Sequence, residues 1–412
     1  MMKTDLAAPA ATHGPGAAAL LALGVMLATS SCSSLPTDYP KTASTAFKAP
    51  ASTEMGAHFE RAARKHPGKS GFAIIPNNRE AFTDRAALAR FAEKTLDVQY
   101  YIWSADTIGR MLGDELIKAA ERGVRVRFLL DDISFKKRDS SAAALSAHPN
   151  IEIRIFNPAM YRGARGIEFI ANFGRLNKRM HNKIMVMDNA AAIIGGRNIA
   201  DEYFGVGEVQ NNRDLDIVAV GPVVRDISST FDEFWNSPAA VPIEAIVKEK
   251  PSIEDFRRQL ASLRSEMKPE RYHFPLEADL KTLRRRIEGM QGNLVWARGE
   301  VLHDSIQSMK KKGAGPTLYG TLSQQMEGAK EELLIESAYF VVQPPAIEMV
   351  RRLTSRGVKV RTLTNSLASN NVLSAQSGHS KYRRDLLEAG MELYELRPDA
   401  ASVMRQVAPQ GR

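Results

Sequence analysis

Apolar positions fall into short alternating runs divided by longer amphipathic ones, the pattern of strands and helices taken in turn. Val98-Gln99-Tyr100-Tyr101-Ile102-Trp103 reads as an apolar strand that ends in aromatics. An amphipathic run over 111–121 follows, and then Arg122-Gly123-Val124-Arg125-Val126-Arg127. There the glycine suits a helix C-cap and the alternating valines open a second strand. Ile151-Glu152-Ile153-Arg154-Ile155-Phe156-Asn157-Pro158 supplies a third. The same order returns downstream as Leu333-Leu334-Ile335 through Tyr339-Phe340, an amphipathic run over 345–355, Arg356-Gly357-Val358-Lys359-Val360-Arg361, and Met391 to Pro398. Gly123 recurs as Gly357, 234 positions on, and Pro158 as Pro398, 240 positions on. Three ordered landmarks at near-constant spacing predict two copies of one α/β unit.

Composition narrows the class. The chain has 412 residues, 44% hydrophobic and 25% charged, which suits folded domains and excludes collagen, coiled coil and wholesale disorder. A single cysteine excludes an intramolecular disulfide and a Cys-rich zinc site. The formal charge of +9 is a mild basic bias, compatible with phosphodiesters or an anionic membrane.

Residues 17–28 are uncharged and mostly apolar, too short to cross ~30 Å of hydrocarbon but suited to the h-region of a signal peptide. Small residues lead from there into Cys32. This start resembles a bacterial lipoprotein signal, which implies lipidation of Cys32 and a membrane anchor facing the periplasm. On that reading 1–32 is the signal and 33–69 a tether, flexible at least over its Ser-, Thr-, Ala- and Pro-rich first part, 33–50. The first α/β domain then spans 70–237. A helical insert with charged runs spans 238–316, and the second domain spans 317–412.

The chemistry concentrates in His181-Asn182-Lys183-Ile184-Met185-Val186-Met187-Asp188, followed by Gly195-Gly196-Arg197-Asn198. In a strand, positions i and i+2 share a face, so His181 and Lys183 are expected to point the same way. The apolar 184–187 stretch would cross the core, Asp188 would turn the chain, and 190–194 would return it, delivering Asn198 near His181. Glycines at 195 and 196 permit close backbone approach to a bound group. Cleavage of a phosphodiester needs a nucleophile, a cation on the non-bridging oxygens and a proton donor for the leaving oxygen. Imidazole, ammonium and a fixed amide answer to such needs.

HxKxxxxD with GGxN resembles the signature of the phospholipase D superfamily. The wider set Gln99-Tyr100-Tyr101-Ile102-Trp103, Leu129-Leu130-Asp131-Asp132, Asp201-Glu202-Tyr203-Phe204, Arg213-Asp214-Leu215-Asp216 and Phe234-Trp235-Asn236-Ser237 is similar to bacterial cardiolipin synthases of the C type. The resemblance implies an α/β fold of two tandem phospholipase D-type α/β/α sandwich domains related by pseudo-twofold duplication, the second incomplete. It implies phosphatidyl transfer through a phosphohistidine, on substrates of the phosphatidylglycerol, phosphatidylethanolamine or cardiolipin class. His181, Lys183, Asp188 and Asn198 would be catalytic, with Gly196 and Arg197 binding substrate. No metal or other cofactor is implied, and no nucleic acid is expected as a partner.

In that family two such motifs face each other. The repeat spacing puts the second at positions 415 to 421, past Arg412. His379-Ser380-Lys381 lacks the spacing and the glycine–asparagine tail, and its neighbours read as a helix, so it is taken as a decoy. His303, without such context, is expected to be structural or exposed. Three readings stay open: a shortened gene product, two chains pairing as a homodimer with one motif each, or an inactive protein that binds anionic lipid. A nuclease of the same superfamily is the rival activity.

Overall fold

The computed structural model describes residues 35, 38–135, 138–163, 165–207, 211–247, 250–267, 280–310, 317–370 and 372–397. Cys32 and the signal-like stretch lie outside the described residues. Strands β1 (Ser70–Ile75), β2 (Thr95–Tyr100), β3 (Arg125–Asp131), β4 (Ile151–Phe156), β5 (Lys183–Met187), β6 (Ala191–Gly195), β7 (Asp216–Val220), β8 (Ala240–Pro242) and β9 (Val295–Ala297) form one sheet. Their order is β8-β4-β3-β2-β5-β6-β7-β1-β9. β2, β3 and β4 run parallel, as the repeated β-α-β landmarks require. β5 lies antiparallel to β2, and β6 antiparallel to β5, as the motif's turn and return predict.

Helices α1 (Asn78–Phe91), α2 (Thr107–Glu121) and α3 (Asp139–Ser146) supply one buried layer. Asp106 caps α2 by accepting from the amide of Gly109, and Gly123, at φ 96°, ends it in the left-handed region that favours glycine. The opposite face is covered by α4 (Val223–Asn236), whose Val224 and Ile227 meet Val186 and Ala192 while its Phe231 and Trp235 meet Leu129 and Phe156. Tyr100, Trp103 and Trp235 are therefore core residues.

Two boundaries differ from expectation. The insert is not a separate unit: its β8 pairs with β4 and its β9 with β1, so it extends both edges of the first sheet. Within it, α5 (Ile253–Ser265) and α6 (Leu280–Gly292) bury Phe256, Leu260, Leu283 and Ile287 in the first core, turning only their charged faces outward. The described part of the tether, from Asp38 on, is likewise structured. Residues 54–64 are helical, and residues 41–47 run as a strap along the first domain. Lys41 donates to the carbonyl of Ala240 (2.8 Å), Arg154 to that of Thr42 (2.7 Å) and Arg127 to that of Ser44 (2.9 Å). The Ala46 amide donates to Asp232 (2.8 Å) and the indole of Trp235 to the Ser44 hydroxyl (2.9 Å). Guanidiniums buried in the sheet find acceptors in the strap's backbone, which composition alone does not reveal.

The second copy comprises β10 (Glu332–Glu336), β11 (Lys359–Asn365) and β12 (Glu392–Leu396), parallel in that order and matching β2-β3-β4. Gly357 repeats the positive φ of Gly123, at 82°. Helices α7 (Pro344–Ser355) and α8 (Leu373–Glu388) bury one face through Val350, Leu353 and Leu386. On the other face, Leu334 and Tyr394 are 64% and 53% exposed, whereas α4 covers the corresponding face of the first sheet.

Candidate active site

His181 stands just before β5 and Lys183 opens it, so one short stretch carries both groups to the end of the sheet where β2 finishes. The Lys183 ammonium lies 3.1 Å from Nδ1 of His181 and donates to the His181 carbonyl at 2.7 Å. The ring of Tyr101, the residue after β2, covers both: its centroid is 4.5 Å from the imidazole and 5.2 Å from Nζ of Lys183. Loss of water on its packed side pushes the His181 imidazole down to about 4, helped by the positive charge of Lys183. Burial also lowers Lys183 to about 8, against the pull of Asp214 and Asp131. At neutral pH the site thus pairs an uncharged imidazole with a mostly charged ammonium, the combination that attack on an anionic phosphodiester needs.

Two carboxylates frame the pair. Asp131, at the end of β3, accepts from the amides of Met180 and Ile133 (both 2.8 Å) and pairs with Arg179 at 3.1 Å, which fixes the chain as it enters His181. Asp214 precedes β7 and acts electrostatically on Lys183; burial raises its carboxyl to about 6 despite the opposing charge of Arg197. Neither was assigned from sequence, although both belong to the short motifs quoted above. Arg179, His181 and Lys183 line a cleft of about 450 Å³ that also holds His303. That imidazole is not isolated: its Nε2 lies 2.8 Å from Glu233 on α4.

The other sequence-derived site residues are placed differently. Asp188 stands at the expected turn after β5, away from His181. It lies at the opposite end of β5, five residues beyond Lys183, or about 17 Å at the usual strand rise. Its fully buried carboxylate accepts from the amides of Glu93 (2.9 Å), Lys94 (2.8 Å) and Thr95 (2.7 Å), holding the start of β2. Asp188→Ala strands these donors. The substitution is expected to cost about 2–3 kcal/mol of stability, read from chemical denaturation, while the His181 titration followed by NMR stays in place.

Asn198 reaches the site indirectly: it accepts from the amide of Ile102 (3.1 Å), next to Tyr101, and hydrogen-bonds the Tyr203 hydroxyl. Arg197 points into the protein, 1% exposed, where it pairs with Asp216 at 2.6 Å and donates to the carbonyl of Tyr203 at 2.8 Å. It is a structural cation, not a free phosphate ligand. Gly196 admits a protein group: a Cβ there would lie 2.0 Å from Oδ1 of Asp214, and one on Gly195 would lie 2.2 Å from Oδ1 of Asp216. His379 sits within α8, 3% exposed, with Nδ1 3.1 Å from the Phe340 carbonyl, in keeping with a decoy. Among the described residues, no group of three or more His, Cys, Asp or Glu side chains is arranged to hold a metal ion.

Residues 87–235 and 322–406 match the family model described as "Cardiolipin synthase, PLD-like domain". The chain belongs to this family. It is 38% identical over 340 residues to Cardiolipin synthase C of Escherichia coli (strain K12), a match covering 81% of this chain and 71% of that one. An uncharacterized protein of Helicobacter pylori (strain 26695) is 29% identical over 360 residues, covering 85% of this chain and 70% of its own. The cardiolipin synthase of Geobacillus kaustophilus is 26% identical over 324 residues, covering 78% and 54%. Among solved structures, the phosphatidylserine synthase of Haemophilus influenzae superposes with a TM-score of 0.52 at 14% identity, over 82% of this chain and 77% of that one. That likeness speaks for the fold: a phospholipase D-like α/β architecture in two matched regions. Among the described residues of this family member, no helix is long and apolar enough to cross a membrane.

Proposed function

We propose that this chain is a phosphatidyltransferase that forms cardiolipin-class lipids, with His181 as one of two catalytic histidines and Lys183 as the phosphate ligand. The observation that carries the reading is the 3.1 Å pairing of a neutral imidazole with an ammonium at the mouth of a cleft. In the step assigned to this site, an imidazole nitrogen bonds to phosphorus and the phosphorus–oxygen bond to the leaving glycerol breaks. The leaving oxygen takes a proton from an acid. An incoming hydroxyl then reverses the sequence and releases the histidine. Lys183 neutralises the non-bridging oxygens, and Tyr101 and Asp131 hold the pair in register.

The acid is, in this reading, the second of the two catalytic histidines, protonated while His181 is neutral. Lipidation at Cys32 would hold the enzyme on the periplasmic side of a membrane. Five residues lie between Cys32 and the first continuous described segment at Asp38, and those six steps reach at most about 22 Å.

The test is cardiolipin formation from phosphatidylglycerol in mixed micelles by the full chain, with glycerol release and acid-labile phosphohistidine measured in parallel. Cardiolipin appearing together with glycerol and an acid-labile phosphohistidine that His181→Ala abolishes supports this reading. Hydrolysis of DNA without any phospholipid turnover would replace it with the nuclease reading.

A further inference from the structure

The cleft beside His181 is amphiphilic in its layout. At one end stand Arg179, His181 and Lys183. Its walls are mainly apolar, with Ile184 and Ile194 from β5 and β6, Ile227 and Phe234 from α4, and Leu302 and Met309 from the segment after β9, and with Thr230, His303 and Asp304 set among them. That last wall is fixed by hydrogen bonds and not merely laid across the opening. Glu233 of α4 binds it twice, through Nε2 of His303 (2.8 Å) and through the amide of Ile306 (2.7 Å). Farther on, Asp304 accepts from the amide of Leu318 at 2.8 Å. A polar headgroup alone leaves such walls unused, whereas an anionic head with a hydrocarbon tail matches both ends at once.

Resting on the phosphate role of Lys183 given above, we propose that this cleft is an acyl-chain subsite: it receives the proximal methylenes of one fatty-acyl tail of the phospholipid whose phosphodiester lies against Lys183 and His181. Charge complementarity sets the direction of entry, phosphate toward Lys183 and tail between α4 and the 301–309 segment. Ile227 and Phe234 are buried in the core, so they form the fixed wall. Leu302 and Met309 are only partly buried and form the wall on which chain length can be tuned.

Calorimetric binding of inorganic phosphate and of butyl, hexyl and octyl phosphate, all below their micelle concentrations, tests the assignment on the full chain. The expected result is an affinity that rises by up to about fourfold per added methylene, the transfer gain of a CH₂ leaving water. Leu302→Trp and Met309→Trp, each checked for an unchanged melting temperature, are expected to flatten that rise by filling the cleft. Inorganic phosphate, which has no tail to place, serves as reference. An affinity independent of chain length would overturn the proposal, as would a rise untouched by both tryptophans, which would mean that the tails bind elsewhere. Failure of the underlying phosphate assignment looks different: inorganic phosphate would then bind Lys183→Ala as well as it binds the unaltered chain.

Discussion

His181→Ala is expected to lower kcat/KM for phosphatidyl transfer by at least about 10²–10⁴-fold, with the fold and melting temperature unchanged. The histidine is exposed on one side and lies outside every strand and helix, so its loss removes chemistry without opening a core cavity. Lys183→Ala should cost about 10²–10³-fold, the usual loss when one preorganised donor to a charged oxygen is removed. The two groups serve one phosphorus centre, so the double variant should be little worse than His181→Ala alone. Their protonation fixes the pH profile. His181, pushed down to about 4, is inactive as a nucleophile only when protonated, so the acidic limb of kcat/KM should lie near pH 4. Lys183, lowered to about 8, loses its charge above that pH, so the alkaline limb should fall there. Lys183→Arg keeps a cation at all accessible pH values and should erase the alkaline limb, even if its planar fork lowers the maximum rate. A profile whose alkaline limb survives Lys183→Arg would assign that limb to another group.

The parts of this site legible in the sequence are those that one short stretch carries. His181 and Lys183 are two residues apart where the chain runs into β5, and that spacing brings them together although His181 itself stands before the strand. The parallel β2-β3-β4 order and its repetition as β10-β11-β12 followed from glycine-punctuated helices and alternating valines. Asp188 was legible as the residue that turns the chain after β5, but its partners, the amides of residues 93 to 95, lie more than ninety positions away and no local pattern announces them. Arg197 was misread because it looks the same in sequence whether it faces a phosphate or a buried carboxylate. Asp131 and Asp214 act on Lys183 from two different connections, and no local pattern marks such convergence. The strap over 41–47 was hidden for a further reason: its partners are its own backbone carbonyls, and they are met by Arg127 and Arg154 more than eighty residues away. Serine, threonine and alanine give the same composition to a bound strap and to a solvated linker.

Asp216→Ala is expected to destabilise the first domain by about 3–5 kcal/mol, the largest stability loss of any single substitution considered. Asp216 is fully buried at the start of β7, directly opposite Gly195 in the ladder. Its Oδ2 is shared by two guanidiniums, Arg85 at 3.0 Å and Arg197 at 2.6 Å, each 1% exposed, and Arg85 also donates to the hydroxyl of Tyr100 at 3.0 Å. Removal of the carboxylate leaves two buried cations facing one another in a space with no anion between them. Burial by itself pushes the Asp216 carboxyl up, but Arg85 and Arg197 outweigh it and hold the group below its ordinary 3.8. A depressed carboxyl stabilises the fold above its unfolded pKa and ceases to do so as pH falls through the folded one. The gap between the unaltered protein and Asp216→Ala should therefore be constant from neutral pH down to about 5 and close only in stronger acid. Asp216→Asn keeps the shape and hydrogen-bonding reach without the charge, and should recover only a minor part of the loss. If urea denaturation at pH 7 instead gave Asp216→Asn the stability of the unaltered chain, packing and not ion pairing would account for the buried network. The site is coupled to this result through Gly195 and Gly196, which seat Asp216 and Asp214 against the segment that follows β6. A variant that removes the Asp216 charge should therefore also lower the carboxyl of Asp214, leaving it more fully ionised and strengthening the field that keeps Lys183 charged.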